Sequence, residues 1–307
     1  MPFWRQESAA AKQRREIQVA SRKALAAGGI PLEAQHRLEA QRLGGDSFFS
    51  SDLSCKEYLL SREAGYEPIG LVMGTAFYKV SFWGYFRNYQ SFTGELSALT
   101  QAQLTARRLA VNRMQQEAEI LGATGVVGVR LQTKGYDWSS RTVEFTSVGT
   151  AIRVPNRASE RAFTSGLSGQ EFWQLQQAGY WPKGLVFGIC SYYVHTNWDT
   201  QAMTRGGFFG RGSSVNQEVT QYTQGFQQAR HLAISRLTEN IGELGAEGAV
   251  GMDIDADVED IEYEINDTKY HDLLAHFMTT GTAIVHDRQI ASNSARSPLM
   301  FYNLAGK

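Results

Sequence analysis

Apolar positions along the chain switch between helical and strand periods in a fixed order, and the whole order occurs twice. Leu104, Val111, Met114, Ala118 and Leu121 recur at seven, three, four and three residues, which lays one stripe along a helix. A second stripe, Ile234, Leu237, Ile241 and Leu244, follows later, with Gln227 standing where the first has Leu104. Ahead of each predicted helix, a β-branched and aromatic run at about Ile69–Phe82 and Gly184–Val194 is entered through a proline and predicts a strand. Behind each helix, Gly122 or Gly245 suits the left-handed position past a helix end. Val126–Leu131 or Ala249–Ile254 then starts a strand that returns by a hairpin through Val143–Arg153 or Ala275–Val285. A short helix precedes each set, with Ser54 or Ser168 as N-cap, Glu57 or Glu171 in the capping-box position, and Gly65 or Gly179 to end it. The order β–α–β–β, twice, predicts an α+β fold.

The residues themselves repeat as well. Residues 51–80 align without gaps to 165–194, sharing among others Ser54/Ser168, Glu57/Glu171, Gly65/Gly179, Tyr66/Tyr180, Pro68/Pro182, Gly74/Gly188 and Tyr78/Tyr192 at an offset of 114. The offset becomes 123 at Arg107/Arg230, Arg113/Arg236, Gly122/Gly245 and Gly128/Gly251, and 132 where Gly149-Thr150-Ala151-Ile152 meets Gly281-Thr282-Ala283-Ile284. The second copy thus holds two nine-residue insertions, which mark loops. The expected organisation is a helical extension over 1–47, a first repeat over 48–156, a second over 157–286 and a tail over 287–307. The extension is rich in Ala, Gln, Arg and Glu, has net charge +4 over residues 1–45, and predicts amphipathic helices broken at Gly28-Gly29 and Pro31. In the tail, Pro298-Leu299-Met300-Phe301-Tyr302 is a candidate for docking on a neighbour.

At 307 residues the chain is long enough for two cores. Lys plus Arg (30) nearly cancel Asp plus Glu (31), so bulk charge supplies no drive toward nucleic acid or an anionic membrane. Two cysteines, Cys55 and Cys190, are too few for a disulfide scaffold or a four-thiolate metal site. With no apolar run of membrane-spanning length and no apolar core within Met1–Arg22, the expected setting is a reduced, cytoplasmic one.

The predicted helix, the string Leu121-Gly122-Ala123-Thr124-Gly125-Val126-Val127-Gly128-Val129 and the closing Gly149-Thr150-Ala151 together resemble the YbjQ-like family, whose label proposes heavy-metal binding. The second copy offers Leu244-Gly245-Ala246-Glu247-Gly248-Ala249-Val250-Gly251-Met252. The resemblance covers about 66–154 and 180–286. It implies a β–α–β–β unit that assembles as a ring of five, with a metal ion or small ligand implied by the family label alone. The duplication and the helical lead-in depart from the family's usual single-domain form.

The residues supply little chemistry to go with that label. The glycine string follows a helix C-terminus, where carbonyls repel an anion, so it reads as tight packing rather than a phosphate loop. Cys55 aligns with Gly169 and Cys190 with Ala76, so neither thiol belongs to a duplicated ligand set. His271 and His276 fall on opposite faces of a strand, His231 reads as a surface helix residue, and His195 has no partner in sight. Asp253, Asp255 and Asp257 share one strand face and are the weak metal candidates for a hard cation, without a calcium-type loop around them. At the same positions the first copy has Arg130, Gln132 and Lys134. This reversal of sign makes Arg130 and Lys134 candidates for attraction between copies or chains. The loop before the first long helix gathers Phe82, Trp83, Tyr85, Phe86, Tyr89 and Phe92. The second is glycine-rich, with Phe208 and Phe209 inside Arg205-Gly206-Gly207-Phe208-Phe209-Gly210-Arg211-Gly212. One such element in a net-acidic chain is a poor case for nucleic acid. Trp83, Phe86, Phe208 and Phe209 are therefore taken as subunit-contact candidates. No nucleophile elbow, zinc-protease helix or phosphate loop is present. The expectation is a non-enzymatic oligomeric scaffold or binding protein whose partner is itself, five chains stacking two rings with one copy in each. The alternative is an enzyme with its site between subunits.

Overall fold

The computed structural model describes residues 9–44, 49–79, 92–136, 139–157, 161–204, 218–265 and 268–287. Trp83, Phe86, Phe208, Phe209 and the Pro298–Tyr302 segment lie outside the described residues. An arm of two helices, α1 (Ala9–Ala26) and α2 (Leu32–Arg42), leads into the first repeat. That repeat holds α3 (Cys55–Ala64), β1 (Glu67–Lys79), a two-residue strand β2 (Gly94–Glu95), α4 (Ser97–Ile120), β3 (Gly125–Tyr136) and β4 (Ser139–Arg153). The second holds β5 (Phe163–Thr164), α5 (Gly169–Gln177), β6 (Tyr180–Val194), α6 (Trp198–Thr204), α7 (Thr220–Glu243), β7 (Gly248–Ile265) and β8 (Thr268–His286).

The strands form two sheets, ordered β1-β4-β3-β5 and β2-β6-β8-β7. Three long antiparallel strands of one repeat make up most of each sheet, with a two-residue strand from the other repeat at one edge. One long helix lies on each sheet, α4 on the first and α7 on the second. A Cβ at Gly74 would collide with the Ala110 carbonyl of α4, and one at Gly188 with the Ala233 carbonyl of α7. These glycines let helix backbone lie almost directly on strand backbone, at matching places in the two copies. The short helices start as the sequence predicts, with Ser54/Glu57 and Ser168/Glu171 each completing a capping box. Gly122 and Gly245 take left-handed φ values of 75° and 60° just past the long helices.

The structure alters two sequence expectations. Both first strands start earlier than predicted, so Pro68 and Pro182 lie inside them, each next to a register shift of the pairing. Such an irregularity is where a strand tolerates proline. The apolar stripe of the second long helix is the other correction. The residues of α7 buried on the sheet are Gly225, Ala229, Ala233 and Leu237, while Ile234 and Leu244 are exposed. Over Gly188 the helix presents Ala233 and, one turn on, Leu237, while Ile234 lies on the side of the helix away from the strand. In α4 the expected residues, Leu104 through Leu121, are all buried, because this helix is covered on more than one side.

Candidate functional site

The most extensively built feature of the molecule is the joint between its two repeats. One face of β6, including Val186, Gly188 and Cys190, lies under its own helix α7. The other face, Leu185, Phe187 and Ile189, packs with Leu104 and Val111 of α4 from the first repeat. Every residue of β6 from Val186 to Ser191 is consequently buried. Chain exchange reinforces this helix-on-sheet contact at both ends. The Phe163 and Ser165 amides donate to the Thr124 and Val126 carbonyls at 3.1 and 2.8 Å, adding the second repeat's lead-in as a parallel strand on β3. Phe163 fills the space over Gly125 and packs with Phe172 and Trp181 at ring distances of 5.4 and 5.3 Å. In return β2 pairs with the end of β6, and Glu95 takes a 2.7 Å ion pair from Arg236 on α7.

Beside the joint lies a polar cavity of about 320 Å³ with Leu99, Gln103, Arg107 and Thr133 on one wall and Asp255, Asp257, Glu259 and His276 on the other. Burial pulls the Arg107 guanidinium down to about 10 against the smaller opposing pull of Asp255, so it stays charged at neutral pH. Arg107 also lies over the Phe145 ring at 4.7 Å. Spacing alone did not single it out, because its partner carboxylate is 148 residues away in the chain. Glu259, 3.5 Å from His276, is held below the usual carboxylate range mainly by that hydrogen bond.

Asp253, Asp255 and Asp257 do share one face of β7, opposite Thr280, Met278 and His276. They are strung along the strand rather than gathered, and among the described residues no three His, Cys, Asp or Glu side chains are placed to hold a metal ion. Cys190 is buried and its thiol pushed up to about 12 by desolvation, whereas Cys55 is exposed on α3. The described residues do not gather a heavy-metal centre. Arg130 and Lys134 lie on one face of β3, where Arg130 pairs with Asp52 and Lys134 stands opposite Glu144. In the second repeat the corresponding cross-strand pair is Asp257 with His276, so at this one position each sheet sets an acidic residue opposite a basic one with the strands exchanged.

A second polar cluster escaped sequence reasoning. The carboxylate of Asp272, buried, accepts the Tyr193 hydroxyl, the Thr196 amide at 2.8 Å and His195 Nδ1 at 3.1 Å. Desolvation and this carboxylate drive the hydroxyls of Tyr193 and Tyr263 well above the usual tyrosine range, so both stay protonated. His195 and Asp272 lie 77 residues apart, and the register Val194↔Leu273 of β6 and β8 brings them together. The cluster ties the end of β6 to β8 and to the turn before α6.

Two tandem β–α–β–β units, joined by a helix of one on the sheet of the other, define a duplicated α+β protein. The chain belongs to the YbjQ family, described as "Putative heavy-metal-binding", whose sequence model matches residues 62–155 and 193–287. It is 37% identical over 243 residues to an encapsulin nanocompartment protein of Mycobacterium tuberculosis, covering 77% of this chain and 85% of that one. It is also similar to UPF0145 proteins of Halalkalibacterium halodurans (39% over 61 residues) and Halorubrum lacusprofundi (43% over 61 residues). Those two matches each cover 20% of this chain, and 56% and 57% of the respective relatives. No solved structure matches the chain significantly. No helix among the described residues is long and apolar enough to cross a membrane.

Proposed function

We propose that the protein is a non-enzymatic, self-assembling scaffold, a cytoplasmic subunit whose partner is further copies of itself in a closed ring. One observation carries the reading. β1 and β6 are the same strand in the two copies, yet β6 is buried on both faces whereas β1 alternates. Its outer residues Leu71, Met73 and Phe77 stand open, Met73 at 51% exposure against 4% for its counterpart Phe187. A row of apolar side chains at the place where the other copy carries a packed helix is what a subunit shows before its neighbour arrives. The relative named as an encapsulin nanocompartment protein supports assembly as the task of this architecture.

Light scattering after size exclusion tests this directly. The scaffold reading expects a discrete mass several times the 34.2 kDa of one chain, persisting on dilution to the micromolar range. A well-folded protein running at 34.2 kDa under those conditions would refute it.

A further inference from the structure

Resting on that reading, we infer that the chains join head to tail, α7 and the start of β7 of one copy receiving sheet β1-β4-β3 and the lead-in strand of the next. The inference comes from applying the joint inside the chain to its two unmatched ends. Within the chain Val111 of α4 faces Leu185 and Phe187. The counterpart of Val111 is Ile234, exposed at 37% against 6%, and the counterparts of Leu185 and Phe187 are the open Leu71 and Met73. Within the chain Phe163 fills the space over Gly125. Its counterpart Phe49 is 50% exposed, and the position matching Gly125 is Gly248, whose surroundings are empty. Phe172 of α5 is wholly buried in the first repeat's cluster with Tyr66, Val127 and Ile152, while its counterpart Tyr58 is exposed. Tyr180, Val250 and Ile284, which match that cluster, are each less buried than their counterparts. Most apolar elements of the filled joint therefore have a more exposed match at one end of the chain or the other, while Leu104 is matched by Gln227 and Ile189 by Thr75.

The Glu95–Arg236 pair is not repeated either. Its counterpart Arg113 already donates to the Leu25 and Gly29 carbonyls of the arm at 3.1 Å each. The joint between chains thus consists of the helix face and the lead-in strand, without that ion pair. It is heterologous, so instead of a two-fold dimer it propagates from chain to chain and builds a ring where the rotation closes. First and second repeats alternate around such a ring, which then holds an even number of repeats instead of one ring for each copy.

The test uses two variants, each dead at one end. Leu71→Glu/Met73→Glu blocks the sheet face, and Ile234→Glu blocks the helix face; all three residues are exposed in the single chain, so each variant should keep the wild-type circular dichroism spectrum and still unfold cooperatively. Each variant alone is expected to be monomeric, and an equimolar mixture to form a one-to-one dimer through the remaining intact pair of faces. Single variants that assemble like wild type, or a mixture that stays monomeric, would overturn the head-to-tail joint while leaving self-assembly standing. A monomeric wild type would instead remove the scaffold reading beneath it. As a readout in the intact assembly, chains carrying Phe49→Cys and chains carrying Gly248→Cys, both with Cys55→Ser, are mixed and mildly oxidised. The register Gly125↔Phe163 places such a pair at disulfide distance, so a covalent dimer is expected, and its absence from an assembled mixture counts against the joint.

Discussion

Phe163 and Phe49 are the same residue in two circumstances, and truncating each to alanine separates folding from assembly. Phe163 is 5% exposed and packs with Phe172 and Trp181. Its loss should lower the stability of the dilute chain by about 3–5 kcal/mol, the usual range for a buried phenylalanine. Phe49 is half open, so Phe49→Ala should change the dilute chain far less. A phenylalanine side chain offers about 200 Å², and covering its open half at about 25 cal/mol per Å² contributes about 2.5 kcal/mol to each joint between chains. That corresponds to a roughly 60-fold weaker joint. Urea unfolding at low concentration reads the first quantity and sedimentation velocity across a concentration series the second. If Phe49→Ala destabilised the isolated chain as much as Phe163→Ala, or left the assembly midpoint where it was, the equivalence of the two joints would be wrong.

Three further outcomes follow from particular contacts. Gly188→Ala should lower stability by about 1–3 kcal/mol in calorimetry, because the new methyl meets the Ala233 carbonyl of α7, a backbone atom that cannot step aside alone. Asp272→Ala should cost about 3 kcal/mol in urea unfolding, since it removes the buried carboxylate that accepts the Tyr193 hydroxyl and the Thr196 amide. Glu117 accepts the Met73 amide at 3.0 Å in a buried position, and desolvation raises its pKa above the ordinary 4.5. A raised carboxylate pKa means that ionisation opposes folding as pH climbs from the unfolded value through the folded one. Glu117→Gln keeps an acceptor, as Asn240 does for Phe187 in the second copy, and should gain stability relative to wild type progressively above about pH 4.5. A constant difference between pH 4 and 7 would contradict that assignment.

Much of the fold could be read before any coordinates because its signals are local. Ser54 with Glu57, Gly122 past its helix and the break at Pro31 each act within a few residues, and the duplication made the first two visible twice. The joint between repeats was not readable in this way. β2 and β5 are two residues long and have no periodicity to detect, and the contact of Val111 with Phe187 spans 76 positions. The stripe through Ile234 and Leu244 was legible as apolar, but which side of α7 lies on the strand was not. Asp253, Asp255 and Asp257 were legible as one face of a strand; what faces them, Arg107, arrives from the other copy. The pairing of His195 with Asp272 likewise exists only once β6 and β8 are in register.

A reconstruction of the assembled particle by electron cryomicroscopy addresses the account most directly. It predicts Ile234 of each chain packed on Met73 of the next and the Phe49 ring seated over the neighbour's Gly248, with arm-bearing and armless repeats alternating around the ring. Like repeats meeting like across a two-fold axis, or separate rings made from each copy, would contradict it.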